Sequence, residues 1–215
     1  MENPENTNPQ SGNKSSRNQY VSAEQLIAKM KVAFTNAKQP EILAELATVG
    51  ITETQLDAHL ADITNLEQLS QQQIQEYGEQ FAATDLFNEK KAAIDTTFAR
   101  HRNLAKIIFK GDRQANTTLG IDDGRKQAYA AWYQQVNNFY SQILANPEFK
   151  TKAATVNIDD AAIAAQQAAL QEVSALKESQ KKELGEAQRA TDTRDTALDL
   201  LYPKYTQLVA FAKVL

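Results

Sequence analysis

A chain of 215 residues can form one large helical domain or two small ones, and its 42% hydrophobic content is too high for a disordered polymer. The lack of cysteine excludes disulfides, thiolate metal sites and a cysteine nucleophile together. A net charge of −4 and a pI of about 5.3 argue against general nucleic-acid binding, because an acidic surface repels the phosphate backbone.

Glycine (7) and proline (5) are scarce while alanine and glutamine recur throughout, so long helices with few interruptions are expected. Residues 1–20 are almost all Asn, Pro, Ser, Gln, Glu, Lys and Gly and are expected to be a disordered polar tail. They hold no continuous apolar core of the kind a secretory signal needs, and a cytoplasmic location follows as an expectation. No later run approaches the roughly 18 apolar residues of a membrane-spanning helix, so no membrane partner is expected.

The first helix is expected over residues 22–37, where Ser22 and Gln25 form a capping box and Val21 staples onto Leu26. Pro40 suits the first turn of a short second helix, where its missing N–H costs nothing. That helix stops at a corner, Thr48-Val49-Gly50-Ile51-Thr52. Gly50 supplies a left-handed residue, Ile51 the hydrophobic contact after it, and Thr52 the next N-cap, with Gln55 closing a second capping box. The same device recurs as Thr118-Leu119-Gly120-Ile121-Asp122 and as Thr155-Val156-Asn157-Ile158-Asp159.

A long third helix follows over residues 53–82, with Leu56, Leu60, Ile63, Ile74, Tyr77 and Phe81 as its buried stripe. A fourth carries Phe87, Ile94, Phe98, His101, Ala105 and Ile108 on a similar lattice. Thr84-Asp85 is the N-cap expected between them, although no proline enforces a break and one long helix is the alternative. Further on, the stretch from Lys177 to Glu183 has little to bury and is expected in solvent or against another chain.

The sequence then matches itself. Pro147-Glu148 follows Pro40-Glu41 by 107 positions, and in that register Ala154-Thr155-Val156 falls on Ala47-Thr48-Val49, Gly185-Glu186 on Gly78-Glu79 and Ala190-Thr191-Asp192 on Ala83-Thr84-Asp85. Before the Pro-Glu pair the better offset is 106, setting Trp132, Tyr133, Val136, Phe139 and Tyr140 on Leu26, Ile27, Met30, Ala33 and Phe34. Later it is 104, setting Asp199, Tyr202, Lys204 and Leu208 on Asp95, Phe98, Arg100 and Leu104. An ordered series over about a hundred residues points to duplication. The expected fold is all-α: two tandem copies of a helical-bundle unit, about four helical pieces each, with antiparallel long helices. The expected organisation is a tail at 1–20, repeat 1 at 21–111, a linker with a helix stop and restart at 112–124, and repeat 2 at 125–215.

Residues that could carry chemistry lack the partners chemistry needs. His59 sits between Asp57 and Asp62, without Glu-x-x-His or His-x-x-x-His spacing, and His101 lies on the buried lattice opposite Tyr205 of the second copy. Asp122-Asp123 and Asp159-Asp160 sit where helices are expected to begin and read as caps. Gly120 to Lys126 has three residues between its glycines where a phosphate loop needs four. Arg125, Lys126, Tyr129, Trp132 and Tyr133 mix basic and aromatic types, but Trp132 and Tyr133 align with core positions. Arg100, Arg102, Lys106 and Lys110 read as cations complementing a helix C-terminus.

No catalytic, cofactor-binding or metal-binding residue is therefore assigned, and no cofactor is expected. The function expected is a non-catalytic structural or protein-interaction protein: a scaffold, adaptor or assembly subunit with a protein partner or a second copy of itself, as a homodimer. Two alternatives stand beside it. One is a membrane-active helical protein, suggested by residues 161–170 and 198–215. The other is a carboxylate-dependent enzyme using Asp95 and Asp199, equivalent positions of the two copies.

Overall fold

A computed structural model describes residues 21–215, so the tail expected at 1–20 lies outside the described residues. The fold is all-α, with seven helices among the described residues: α1 (Ala23–Ala37), α2 (Pro40–Thr48), α3 (Glu53–Ile108), α4 (Arg113–Leu119), α5 (Tyr129–Ala145), α6 (Pro147–Ala154) and α7 (Asp160–Ala212).

The local punctuation acts where the sequence places it. Ser22 and Gln25 form the reciprocal capping box of α1, and Thr52 and Gln55 form that of α3, at 2.9 and 3.3 Å. The three corners share one geometry. Gly50, Gly120 and Asn157 adopt left-handed φ values of 82°, 63° and 61°. Ile51, Ile121 and Ile158 then each donate back to Leu46, Asn116 and Ala153 at 3.1 Å, satisfying carbonyls the helix leaves open.

α3 and α7 are each continuous, so of the two alternatives at Thr84-Asp85 the single long helix is the one formed. Thr84 lies inside continuous α3 and caps nothing; its hydroxyl accepts a hydrogen bond from Gln180 at 3.2 Å, and no proline interrupts the helix there. Within residues 112–124, Asp112 caps the short α4 by accepting from the Ala115 N–H at 3.0 Å.

The chain divides into two compact units whose limits fall inside the long helices. The first comprises residues 21–76 and 187–215. Its core joins Met30 and Phe34 of α1, Leu46 of α2, and Leu56, Ile63 and Leu66 of α3 to Leu198, Leu201 and Leu208 of α7. The α3 and α7 segments run antiparallel, because Asp62 meets Lys204 at 3.1 Å while Gln73 meets Thr191 at 3.0 Å.

The second unit spans residues 77–186. Its core joins Phe87, Ile94 and Phe98 of α3 to Phe109, Leu119 of α4, Trp132, Val136, Phe139 and Tyr140 of α5, Phe149 of α6, and Ile163, Leu170 and Val173 of α7. Here too the long-helix segments are antiparallel, Lys90 pairing with Glu172 at 2.9 Å and Thr84 with Gln180.

The buried stripe of α3 departs from the expected one in its middle. Leu56 and Ile63 are buried, but Ile74 (67% exposed), Tyr77 and Phe81 (60%) are not. Buried positions repeat every seven residues, as Leu56, Ile63 and Ser70, and again as Phe87, Ile94 and His101. Counted on from buried Leu66, the same period passes through partly buried Gln73 and Gln80 to Phe87, and leaves Ile74, one position away, in solvent.

The polar stretch from Lys177 to Glu183 is likewise divided. Lys181 and Lys182 face solvent, whereas Lys177 lies 4.8 Å from the Phe87 ring centre and Gln180 reaches Thr84.

Candidate functional site

In the first unit, the corner after α2 and the last turns of α7 enclose a cavity of about 120 Å³. Phe34, Leu56, Leu208 and Phe211 supply apolar walls, and His59 and Lys204 are its ionisable members. His59 packs its ring 5.1 Å from that of Phe34. Its Nδ1 is buried and makes no hydrogen bond, the Asp62 carboxylate standing 3.9 Å away. Burial, aided by the Lys204 charge, holds the His59 pKa below its ordinary value, so the ring is neutral at pH 7. Lys204 pairs with the same Asp62 at 3.1 Å. The sequence spacing shows His59 and Asp62 one turn apart; Lys204 joins them only through the packing of α7.

His101, in the second unit, is buried and its Nδ1 lies 3.0 Å from the Tyr140 hydroxyl. Desolvation, with a smaller contribution from Arg100, lowers its pKa, and desolvation raises that of Tyr140. The pair is a neutral hydrogen bond inside a ring cluster of Phe98, Phe139 and Tyr140.

Asp95 and Asp199 fall in different units. Asp95 accepts from the Trp132 indole N–H at 3.1 Å and pairs with Arg125, whereas Asp199 is exposed. Trp132 is buried, with the Lys91 ammonium 4.6 Å from its ring centre, and Tyr129 packs on Phe87 and Trp132. The basic-aromatic stretch around Trp132 is thus largely core and core rim.

Two expectations are corrected around residues 120–128. Asp159 does cap a helix, accepting from the Ala162 N–H at 2.8 Å, but Asp122 and Asp123 do not, since α5 begins at Tyr129. Arg102 is no last-turn cation: it lies within α3 and is buried. Its guanidinium donates to the Ile121 carbonyl at 2.9 Å and to that of Asp123, occupying acceptors a helix would use. Gln135 holds the loop's other side, donating to the Gly124 carbonyl and accepting from the Lys126 N–H, each at 3.0 Å. Nothing local in the sequence distinguishes Arg102 from Arg100 for this role, because its partners lie about twenty residues further on.

A polar seam completes the set. Gln73 donates to Thr191 and accepts from Arg194 in the first unit, and Gln180 donates to Thr84 in the second. Apolar periodicity does not mark these contacts, because the residues are polar and each bond joins α3 to α7.

No protein-family model, curated protein or solved structure matches this chain. Among the described residues, no helix is long and apolar enough to cross a membrane.

Proposed function

We propose that this chain is a non-catalytic structural or interaction protein, a scaffold, adaptor or assembly subunit built from two copies of one helical unit. Its outer helix faces bind a protein partner or a second copy of the chain. The observation that carries this reading is the set of large apolar side chains left in solvent on the long helices: Leu200 is 68% exposed, Phe81 60% and Leu184 56%. In the first unit, Leu200 lines an open groove with Leu69 and Ala197. In the second, the Phe81 ring rests 6.3 Å from that of Tyr77. Covering such a side chain is worth roughly 1.5–3 kcal/mol, which a partner's apolar face supplies.

A second support is that two of the candidate titratable groups, Asp95 and His101, are engaged within the fold. Asp95 holds Trp132 and Arg125, and His101 holds Tyr140. General acid–base work asks instead for a group within reach of a substrate proton.

The test is affinity capture of the full-length tagged protein from its host after mild cross-linking, read by mass spectrometry beside a Phe81→Lys/Leu200→Lys variant. One dominant partner, or a discrete self-association, is expected, and the variant weakens it by about tenfold or more. A strictly monomeric chain that captures nothing overturns the reading.

A further inference from the structure

We infer that the two halves of this chain are each other's binding partner: each copy contributes its first three helical pieces to one compact unit and its fourth piece to the other. The inference rests on the two-copy reading and deepens it by naming the interaction surface and what it fits.

The core composition carries it. In the first unit, α1, α2 and the beginning of α3 form an apolar surface from Phe34, Leu46, Leu56 and Ile63, and what covers it comes from the far end of the chain, Leu198, Leu201 and Leu208 of α7. In the second, α5, α6 and the beginning of α7 are covered by Phe87, Ile94 and Phe98 from the first half. The fourth piece of each copy therefore packs in the unit that holds the other copy's first three.

Individual contacts obey the same exchange. Gln73 to Thr191 in one unit becomes Gln180 to Thr84 in the other when each residue is replaced by its equivalent at the 107 offset. The edge-to-face pair Phe34 and Tyr205, 6.5 Å apart at 77°, becomes Tyr140 and His101, 5.9 Å apart at 85°, at the 106 and 104 offsets. Two different chemistries, a side-chain hydrogen bond and a ring contact, are thus reproduced with the halves interchanged. The Thr84–Thr191 and Phe34–Tyr140 equivalences are among the self-matches that set the offsets, and the Gln73–Gln180 equivalence follows from them.

The surface of α1, α2 and early α3 is accordingly a docking face for a helix bearing leucines at the spacing of 198, 201 and 208. The partner that fits it is a second copy of this helical unit, supplied here by the same chain. The loop at 121–128 makes the assembly unimolecular, but the contacts that hold the halves together lie in both cores.

The experiment uses the full-length protein with a protease site inserted between Gly124 and Arg125, cleaved after folding. Residues 1–124 and 125–215 are expected to remain together as a 1:1 complex in native mass spectrometry and gel filtration, with helical circular dichroism retained. Leu201→Ala is expected to raise the dissociation constant of the cleaved halves by about 30-fold or more. Halves that separate under native conditions while each keeps its helical signal overturn the inference. Should the insertion itself impair folding, the uncut chain decides. It contains no native cysteine, so a short thiol cross-linker on Gln73→Cys/Thr191→Cys must join peptides 73 and 191 within one molecule, and their failure to link overturns the inference equally. Neither outcome depends on an external partner, so this inference and the proposed interaction role fail separately.

Discussion

Gln73 donates a side-chain hydrogen bond to Thr191 at 3.0 Å, and Gln180 donates the same bond to Thr84 at 3.2 Å. Each glutamine lies 107 residues from the other and so does each threonine, with the direction of the bond along the chain reversed. Both bonds join partly buried groups of α3 and α7. A polar pair at such a seam is a weak source of stability and a strong source of register, because any slip strands a donor away from water.

Thr84→Val keeps the shape of the side chain but removes the acceptor that Gln180 uses. A loss of about 1 kcal/mol is expected in urea unfolding, for one partly buried hydrogen bond. An unchanged midpoint would mean that the amide finds water instead.

Arg102→Met removes two hydrogen bonds from a charged donor to the carbonyls of Ile121 and Asp123. Bonds of this kind contribute about 1.5–3 kcal/mol, so a loss of that order is expected. The loop at 121–128 should also become the first site of limited proteolysis. Arg102→Lys should rescue little, since a single ammonium does not reproduce the forked guanidinium.

His101 and His59 both have folded pKa values below the ordinary 6.5. The unfolded chain then binds more protons than the folded one as pH falls below 6.5, so the stability these residues contribute is complete above that pH and lost beneath it. His101→Gln retains a partner for the Tyr140 hydroxyl and cannot titrate. Between pH 7.5 and 5 its unfolding midpoint should fall less than that of the unmodified protein. Parallel curves would show that His101 does not contribute.

Gly185 sits inside α7, where an added Cβ meets nothing within 4 Å. Gly185→Ala is expected to raise stability by about 0.5–1 kcal/mol, by helix propensity alone. Gly50→Ala should do the reverse at about the same magnitude. It forces a β-carbon into φ 82°, however open the surrounding space. Thermal melts of the two variants beside the parent distinguish these directions.

The features legible in the chain are local. The capping boxes at Ser22 and Thr52, the left-handed residues Gly50, Gly120 and Asn157 and the proline-led starts of α2 and α6 all depend on partners within five residues, so their chemistry is complete in a short window. The features set by packing join residues far apart in the chain. The Gln180 amide that meets Thr84 comes from the other long helix, 96 residues away. The loop ahead of α5 is held from a distance, by Arg102 of α3 donating to the carbonyls of Ile121 and Asp123. Burial of Ser70 rather than Ile74 depends on a seven-residue seam set by the facing helix. The pairing of α1 and α2 with the far end of α7 is of the same kind. An apolar stripe records that it must be covered, but its residues are equally satisfied by any helix of matching spacing, so the choice of cover is made by packing across the whole chain.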